Sequence, residues 1–337
     1  MPRIAINGLG RIGKLLLRAF EADGADGDVV LLNDLLDDPA AHALFLEFDS
    51  VHGRWDAAIA AQEGGLIING RPMRLTAHRR IEDLPLREMS VDMVVDCTGA
   101  FTKTSALEAY FAAGVKKVVV SAPVKDGDAL NLVYGVNHTL YDGSQRIVTA
   151  ASCTTNCLAP VVKVLHEAIG VRHGSITTIH DVTNTQTMVD RPTANPRRAR
   201  SGLTNLIPTT TGSATAITLI YPELKGRLNG HAVRVPLLNA SLTDCVFEMA
   251  RETTAEEING LFRRYADGPL KGVLGYEDRP LVSSDYLNDT RSAIVDGLST
   301  MVVAGTQAKI YAWYDNEYGY AWRLADVARM VARSLET

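Results

Sequence analysis

Cysteine is scarce in this sequence, and its four positions, Cys97, Cys153, Cys157 and Cys245, are too scattered for a disulfide scaffold. No Cys/His spacing resembles a zinc site either. A strong charge of one sign is also missing: the net charge is −5 over 337 residues, without the basic balance or stripe of a general nucleic-acid binder. No apolar run approaches the roughly 20 residues needed to cross a bilayer. The chain opens on a strand-like run, residues 3–6, with no signal-peptide pattern, so a cytoplasmic protein is expected. There are no internal repeats and no low-complexity tract. What remains is a globular composition, 46% hydrophobic and 22% charged, long enough for two domains with separate cores.

The stretch with the most chemistry is 150–160, Ala-Ala-Ser-Cys-Thr-Thr-Asn-Cys-Leu-Ala-Pro. A strand-like run, 146–150, ends there, and Leu158, Val161, Val162, Leu165 and Ile169 then recur at helical spacing. Cys153 thus falls where a helix begins. Unpaired N–H groups and the macrodipole at a helix N-terminus favour an anion, so a thiol there ionises more readily and reads as a nucleophile. Most lone cysteines are small buried apolar residues. Here Ser152, Thr154, Thr155 and Asn156 are expected to make a polar pocket instead. Cys157, four residues on, is expected to pack. Pro160 should kink the helix or delay its start.

A second signal lies at the start. Residues 3–7 form an apolar strand, Gly8-Leu9-Gly10-Arg11-Ile12-Gly13 follows, then a helical pattern, then a strand at 29–32 ending in Asn33-Asp34. In that context the glycines have distinct duties in dinucleotide binding: Gly8 for the tight turn, Gly10 for the approach of the pyrophosphate, Gly13 for close helix packing. Asp34, 21 residues beyond Gly13, stands where an acid accepts from ribose hydroxyls and repels a 2′-phosphate, favouring NAD over NADP. A turn residue is the alternative for Asp34. Strand runs at 93–96 and 117–120 flank a helix at 105–113, and 39–48 also reads as helix. Alternation of this kind indicates a parallel sheet, with ligands at the carboxyl ends of its strands. Thr98, Gly99, Phe101 and Ser121 fall on that side, although Thr98 or Ser121 could be only capping a turn.

After the Cys153 helix the pattern changes. Residues 174–180 alternate as a half-buried strand, and strand-like runs recur at 232–236, 241–250 and 300–311, with a helix at 254–266. The second half therefore reads as α+β with a mostly antiparallel sheet. An irregular segment, 181–205, carries Arg191, Arg197, Arg198 and Arg200, and loops of this length tend to be functional or disordered. A helix closes the chain at 321–334. The expected organisation is a Rossmann-type NAD-binding domain, 1–152, completed by the C-terminal helical segment 318–337, and a catalytic domain, 153–317.

Taken in order, Gly8–Gly13, Asn33-Asp34, Ser50-Val51-His52-Gly53, Ser121-Ala122-Pro123, Ala151–Cys157, Arg197–Arg200, Arg234-Val235-Pro236 and Trp313–Glu317 resemble the motifs of phosphorylating glyceraldehyde-3-phosphate dehydrogenases. The resemblance covers nearly the whole chain. It implies that Cys153 is the nucleophile and His180 its base, and that Arg11, Ile12, Asp34, Arg79, Thr98, Ser121 and Asn316 bind NAD, with Tyr320 beside the nicotinamide. It implies substrate-phosphate binding by Thr183, Arg198 and Arg234, an inorganic-anion site at Ser152, Thr154, Thr211 and Gly212, and a homotetramer. The chemistry agrees: hydride loss from an aldehyde needs a tetrahedral adduct, which a thiolate supplies, and the thioester product is open to attack by an oxyanion.

Several residues depart from the family pattern. Glycolytic members usually read His-Ser-Tyr-Thr-Asn-Asp where this chain has His180-Asp181-Val182-Thr183-Asn184-Thr185. An acid is thus lost at Thr185 and gained at Asp181. These features, with the loop at 191–196, resemble the subgroup encoded in bacterial arsenic-resistance operons, which implies arsenate in place of phosphate, a 1-arseno-3-phosphoglycerate product and a partner membrane transporter. Erythrose-4-phosphate dehydrogenase and a non-catalytic cofactor-binding interaction protein are the competing readings.

Overall fold

A computed structural model describes residues 1–336; Thr337, the last residue of the expected closing segment, lies outside the described residues. Contacts divide the chain into two units, Met1–Ser152 together with the stretch from Ala321 onward, and Cys153–Tyr320.

The first unit contains β1 (Arg3–Asn7), α1 (Arg11–Asp23), β2 (Asp28–Asn33), α2 (Pro39–Glu47), β3 (Ile59–Gln62), β4 (Gly65–Ile68), β5 (Arg71–Thr76), β6 (Met93–Asp96), α3 (Thr104–Ala112), β7 (Lys117–Val120), β8 (Leu130–Asn131) and β9 (Ile147–Thr149). The sheet order is β3-β4-β5-β2-β1-β6-β7-β9-β8. All neighbours run parallel except the β3-β4-β5 meander at one edge. β6 and β7 are buried at every position, which is why their apolar runs are unbroken instead of alternating. Progression through the sheet reverses between β1 and β6, the switch point at which such sheets bind ligands.

A buried polar chain ties the carboxyl ends of these strands together. Asn33 Nδ2 donates to Asn7 Oδ1 (2.8 Å), Asn7 Nδ2 to the Tyr110 hydroxyl (2.6 Å), and that hydroxyl to Asp96 Oδ2 (2.7 Å). Thr76 Oγ1 donates to Asn33 Oδ1 (2.9 Å). Burial raises the Asp96 carboxyl pKa, and hydrogen bonds from Thr98 and Tyr110 oppose that.

The second unit contains α4 (Cys153–Ala168), β10 (Val171–His180), β11 (Ile207–Thr210), α5 (Ser213–Ile220), β12 (Leu228–Arg234), β13 (Ser241–Met249), α6 (Ala255–Asp267), β14 (Leu274–Glu277), β15 (Ala293–Asp296), β16 (Met301–Val303) and β17 (Gln307–Tyr314). α7 (Tyr318–Arg333) begins here and continues into the stretch assigned to the first unit. The sheet order is β11-β12-β10-β13-β17-β15-β14, with β16 on β17. β10/β12 and β14/β15 are parallel; the other pairs are antiparallel.

Some sequence expectations need correction. The strand expected at 232–236 begins earlier, at Leu228, because β12 follows β10 in parallel register from Gly174↔Leu228 to His180↔Arg234. The run at 300–311 is a hairpin, β16 and β17, broken where Ala304 and Gly305 take φ of 50° and 76°. α4 starts at Cys153 and continues through Pro160 to Ala168. Thr154, Thr155 and Asn156 are buried, so they pack under the cysteine and do not line an open polar pocket. β11 and α5 follow the irregular segment without having been expected.

Candidate active site

The backbone delivers Cys153 by a tight strand-to-helix turn. Ala151 N donates to Thr149 Oγ1 (3.1 Å), Ala151 adopts φ of 52°, and α4 begins two residues later. A left-handed conformation is costly for any residue but glycine, asparagine or aspartate, so this turn is held by its surroundings. It leaves Cys153 half-buried on the first turn of α4, among the N–H groups that have no helical partner. Cys157 is one turn deeper and buried; burial pushes its thiol up to about 12, so it is a packing residue.

His180 arrives by sheet topology. β10 and β12 run in parallel and end at His180 and Arg234, which are register partners. β13 pairs antiparallel with β10 and therefore starts at that edge with Ser241; β17 pairs antiparallel with β13 and ends there with Tyr314 opposite Ser241. Four strands thus contribute one residue each at one end of the sheet. Cys153 Sγ lies 3.7 Å from His180 Nε2. The Tyr314 ring stands edge-on to the imidazole, with centroids 6.0 Å apart, and its hydroxyl is fixed by Thr154 Oγ1 (2.9 Å) and Thr178 Oγ1 (2.8 Å).

The other face of the imidazole is charged. Nδ1 is 2.6 Å from Asp181 Oδ1 and 2.5 Å from Arg234 Nη1, and that Nη1 also donates to the Asp181 main-chain oxygen (3.0 Å). Asp181 Oδ2 accepts from Asn316 Nδ2 (2.8 Å), and Asn316 Oδ1 accepts from Ser241 Oγ (2.9 Å). Burial disfavours the imidazolium, but the Asp181 and Cys153 partners outweigh it and raise the His180 pKa to about 9. Burial likewise lowers that of Arg234, against the pull of nearby anions.

The expected anion-binding residues lie partly beside this centre. Arg198 Nε donates to Thr209 Oγ1 (3.1 Å) on β11, whose start pairs with Arg234 on β12. Thr183 Oγ1 donates to Gln186 Oε1 (3.1 Å) and contacts Thr185 Oγ1 (2.8 Å). Thr211 Oγ1 accepts from Ser213 N (3.3 Å) at the start of α5, next to exposed Gly212. Thr154 is buried, with its hydroxyl 2.9 Å from that of Tyr314. Ser152 is half-buried and precedes α4.

In the first unit the glycines fit a dinucleotide. A Cβ on Gly8 (φ 99°) would lie 2.7 Å from the Cys97 carbonyl carbon, and one on Gly13 would meet Gly8 O at 1.8 Å. Gly10, at the N-cap of α1, faces open space. Two glycines are thus required by packing, and the third keeps a helix N-terminus clear for a phosphate. Asp34 Oδ2 accepts from Leu9 N (2.8 Å), so the acid is anchored beside the glycine turn. Arg11 and Asp49 form a short ion pair; burial alone would raise the Asp49 carboxyl pKa, but Arg11 and the Val51 and His52 amides hold it well below the usual range. Ile12 is half-buried and Arg79 exposed. Thr98 caps its turn, donating to Asp96 Oδ1 (2.7 Å) and accepting from Ala100 N (3.1 Å); Ser121 follows β7. Asn316 and Tyr320 are buried in the second unit.

Sequence reasoning assigned no role to Asp181, Ser241, Thr178 or Tyr314. The period-two alternation of β10 does put Thr178 and His180 on one face, which was a usable signal. The Asp181 contact depends on the turn that leaves β10, and no spacing rule encodes it.

Comparison with known proteins gives a consistent result. A family model described as "Glyceraldehyde 3-phosphate dehydrogenase, NAD binding domain" matches residues 2–104, and one described as "Glyceraldehyde 3-phosphate dehydrogenase, C-terminal domain" matches residues 152–316. The chain is 56% identical over 336 residues to glyceraldehyde-3-phosphate dehydrogenase 3 of Nostoc sp., covering 99% of each chain. It is 48% identical to glyceraldehyde-3-phosphate dehydrogenase 1 of Bacillus cereus, over 97% of this chain and 98% of the relative. It is 46% identical to the Geobacillus stearothermophilus glyceraldehyde-3-phosphate dehydrogenase, over 98% of both.

Proposed function

The chain belongs to the glyceraldehyde-3-phosphate dehydrogenase family, and we propose that Cys153 and His180 are the pair through which it oxidises glyceraldehyde 3-phosphate. It is an NAD-dependent oxidoreductase. The observation that carries the residue assignment is the 3.7 Å approach of Cys153 Sγ to His180 Nε2 at the first turn of α4.

The chain's own groups account for each step. The Cys153 thiolate attacks the aldehyde carbon, and the imidazolium Nε2 gives its proton to the new alkoxide, making a hemithioacetal. N–H groups at the start of α4 stabilise the oxygen as charge develops. NAD, when bound, supplies the hydride acceptor; Gly8, Gly10, Gly13 and Asp34 are the residues that would hold its dinucleotide, and Asn316 with Tyr320 its nicotinamide. His180 takes back the hydroxyl proton as hydride departs, leaving a thioester on Cys153. Phosphate oxygen then attacks the thioester carbon, and the thiolate leaves, giving 1,3-bisphosphoglycerate. Arg234, Arg198 and Thr183 suit the substrate phosphate; Thr211 and Gly212, at the start of α5, suit the attacking anion.

The finer proposals are arsenate as the working anion, with 1-arseno-3-phosphoglycerate as product, and a homotetramer. Asp181 and Thr185 support the first. Exposed Met188, Val189, Leu203 and Leu206 on one segment support the second. The experiment is NADH formation from glyceraldehyde 3-phosphate and NAD with phosphate, with arsenate and with neither. Turnover that requires an oxyanion is expected, with an arsenate rate at least equal to the phosphate rate. Oxyanion-independent turnover would overturn the thioester route, and NADH formation only from erythrose 4-phosphate would move the substrate assignment. No activity with arsenate would remove the arsenic-linked role.

A further inference from the structure

Directly after His180 stands a carboxylate that the reaction scheme leaves without a task. Asp181 is 1% exposed, and both of its oxygens are committed: Oδ1 to the imidazole Nδ1 at 2.6 Å, Oδ2 to Asn316 Nδ2 at 2.8 Å. Its main-chain N–H donates to Ser241 Oγ (3.2 Å), which fixes the backbone that carries it. An ionised carboxylate buried without partners is costly. A cluster this well paired is built, and its pairing converges on the imidazole.

We infer that Asp181 is a positioning residue whose carboxylate keeps a proton on His180 Nδ1, so that Nε2 is turned to the Cys153 sulfur as donor in the charged ring and as acceptor in the neutral one. The inference rests on the reading of Cys153 and His180 as the reacting pair and goes beyond it by assigning the tautomer and the group that sets it.

Three groups stand at Nδ1, Asp181 Oδ1, the Asp181 main-chain oxygen (3.0 Å) and Arg234 Nη1, and their chemistry decides between them. A carboxylate only accepts and a guanidinium only donates. With Nδ1 bare, the Asp181 and imidazole lone pairs would face each other at 2.6 Å, and the anion would lose its short partner. With Nδ1 protonated, Arg234 Nη1 still has an acceptor, the Asp181 main-chain oxygen at 3.0 Å. The protonated arrangement gives Asp181 Oδ1 its 2.6 Å donor and leaves Arg234 Nη1 its main-chain acceptor, whereas the bare one leaves Oδ1 only the longer contact from Ser241 Oγ (3.3 Å). The remaining groups facing the ring do not change this: Cys153 from α4 stands at Nε2, Tyr314 from β17 presents a ring edge, and Ser241 from β13 is neutral, with its hydroxyl nearer to Asn316 Oδ1 (2.9 Å) than to Asp181 Oδ1 (3.3 Å). The same carboxylate, by sharing itself between His180 and Asn316, fixes the amide so that Nδ2 points to Asp181 and Oδ1 to Ser241. The direction of the His180 shift, upward against burial, is what such a partner produces.

The test reads thiolate formation and turnover separately. The rate of Cys153 alkylation by iodoacetamide is measured across pH 5–10, with the modified residue identified by mass spectrometry, in the full-length protein and in Asp181→Asn, Asp181→Glu, His180→Asn and the Asp181→Asn/His180→Asn double variant. Without Asp181 the imidazolium is less stable and stabilises the thiolate less, so the acid limb in Asp181→Asn is expected to move up by about one pH unit. That is about tenfold slower alkylation below the limb, the scale of shift a neighbouring charge causes. Asp181→Glu is expected to recover part of the shift, and kcat in Asp181→Asn to fall about tenfold or more with little change in KM. In the His180→Asn background, Asp181→Asn is expected to add nothing.

A wild-type profile in Asp181→Asn, or an equal shift with and without His180, would overturn the positioning role. If His180→Asn itself leaves the profile unchanged, the reading of the reacting pair fails instead. Should Asp181→Asn not fold, nitrogen-15 shifts of His180 in the wild-type protein decide the matter: a neutral ring protonated on Nδ1 supports the inference, and one protonated on Nε2 overturns it.

Discussion

His180 is 4% exposed, and burial alone would strip the ring of its charge. Its partners reverse that and place its pKa at about 9, above the ordinary value of about 6.5. A pKa raised on folding adds stability that is fully present below the unfolded value and is lost as pH rises through the folded one. The stability gap between wild type and His180→Asn, measured by urea unfolding, is therefore expected to be largest near pH 6 and to shrink between about pH 6.5 and 9. A constant gap would mean that folding does not shift the His180 pKa. At this scale, Cys153, His180 and Asn316 could be named in the sequence because family motifs and helix-start chemistry point to residue types, and the structure brings the first two within 3.7 Å. Asp181 was visible only as a departure. Its role depends on an adjacent-residue contact fixed by Ser241 and Arg234, which are 60 and 53 residues away in sequence. The expected NAD contact of Arg11 stands beside an ion pair with Asp49, a partner no local pattern could supply.

Some elements are set by strong local signals. Asn69 and Gly70 both adopt positive φ between β4 and β5, as an Asn-Gly hairpin turn requires. Thr254 caps α6 by accepting from Glu257 N (3.1 Å). The β16–β17 hairpin was read as one strand because its turn carries Ala304 ahead of the glycine, and alanine is not a turn marker. β11 and α5 were missed because threonine-rich sequence after a long loop favours no single element. The polar chain at the ends of the first sheet was also invisible, since Asn7, Asn33, Asp96 and Tyr110 come from four separate elements. Tyr110→Phe leaves Asp96 Oδ2 and Asn7 Nδ2 short of one partner each. A loss of about 1–3 kcal/mol is expected, seen as a melting temperature lower by several degrees with the sheet retained by circular dichroism. An unchanged melting temperature would mean that the chain of hydrogen bonds adds no stability.

The division into two domains was expected at 152, where the strand-like run of the first half ends, with the antiparallel patterning following the Cys153 helix. Assembly state was not legible beyond the family resemblance, since sequence alone does not separate a loop that meets solvent from one that meets another chain. Sedimentation equilibrium is expected to give four times the 36.5 kDa chain mass, and Leu206→Arg, at a residue 70% exposed in the single chain, to reduce it. A single-chain mass for the wild type would remove the tetramer. The unit boundary between Ser152 and Cys153 also has an inheritance attached to it. Cys153, His180, Asp181, Arg234, Ser241 and Asn316 all lie on the uninterrupted stretch 153–320, whereas the glycine turn and Asp34 lie outside it. On the proposed assignment, exchange of that stretch would carry the thiol residues together with Asn316 and Tyr320, and would leave the glycine turn and Asp34 as they are.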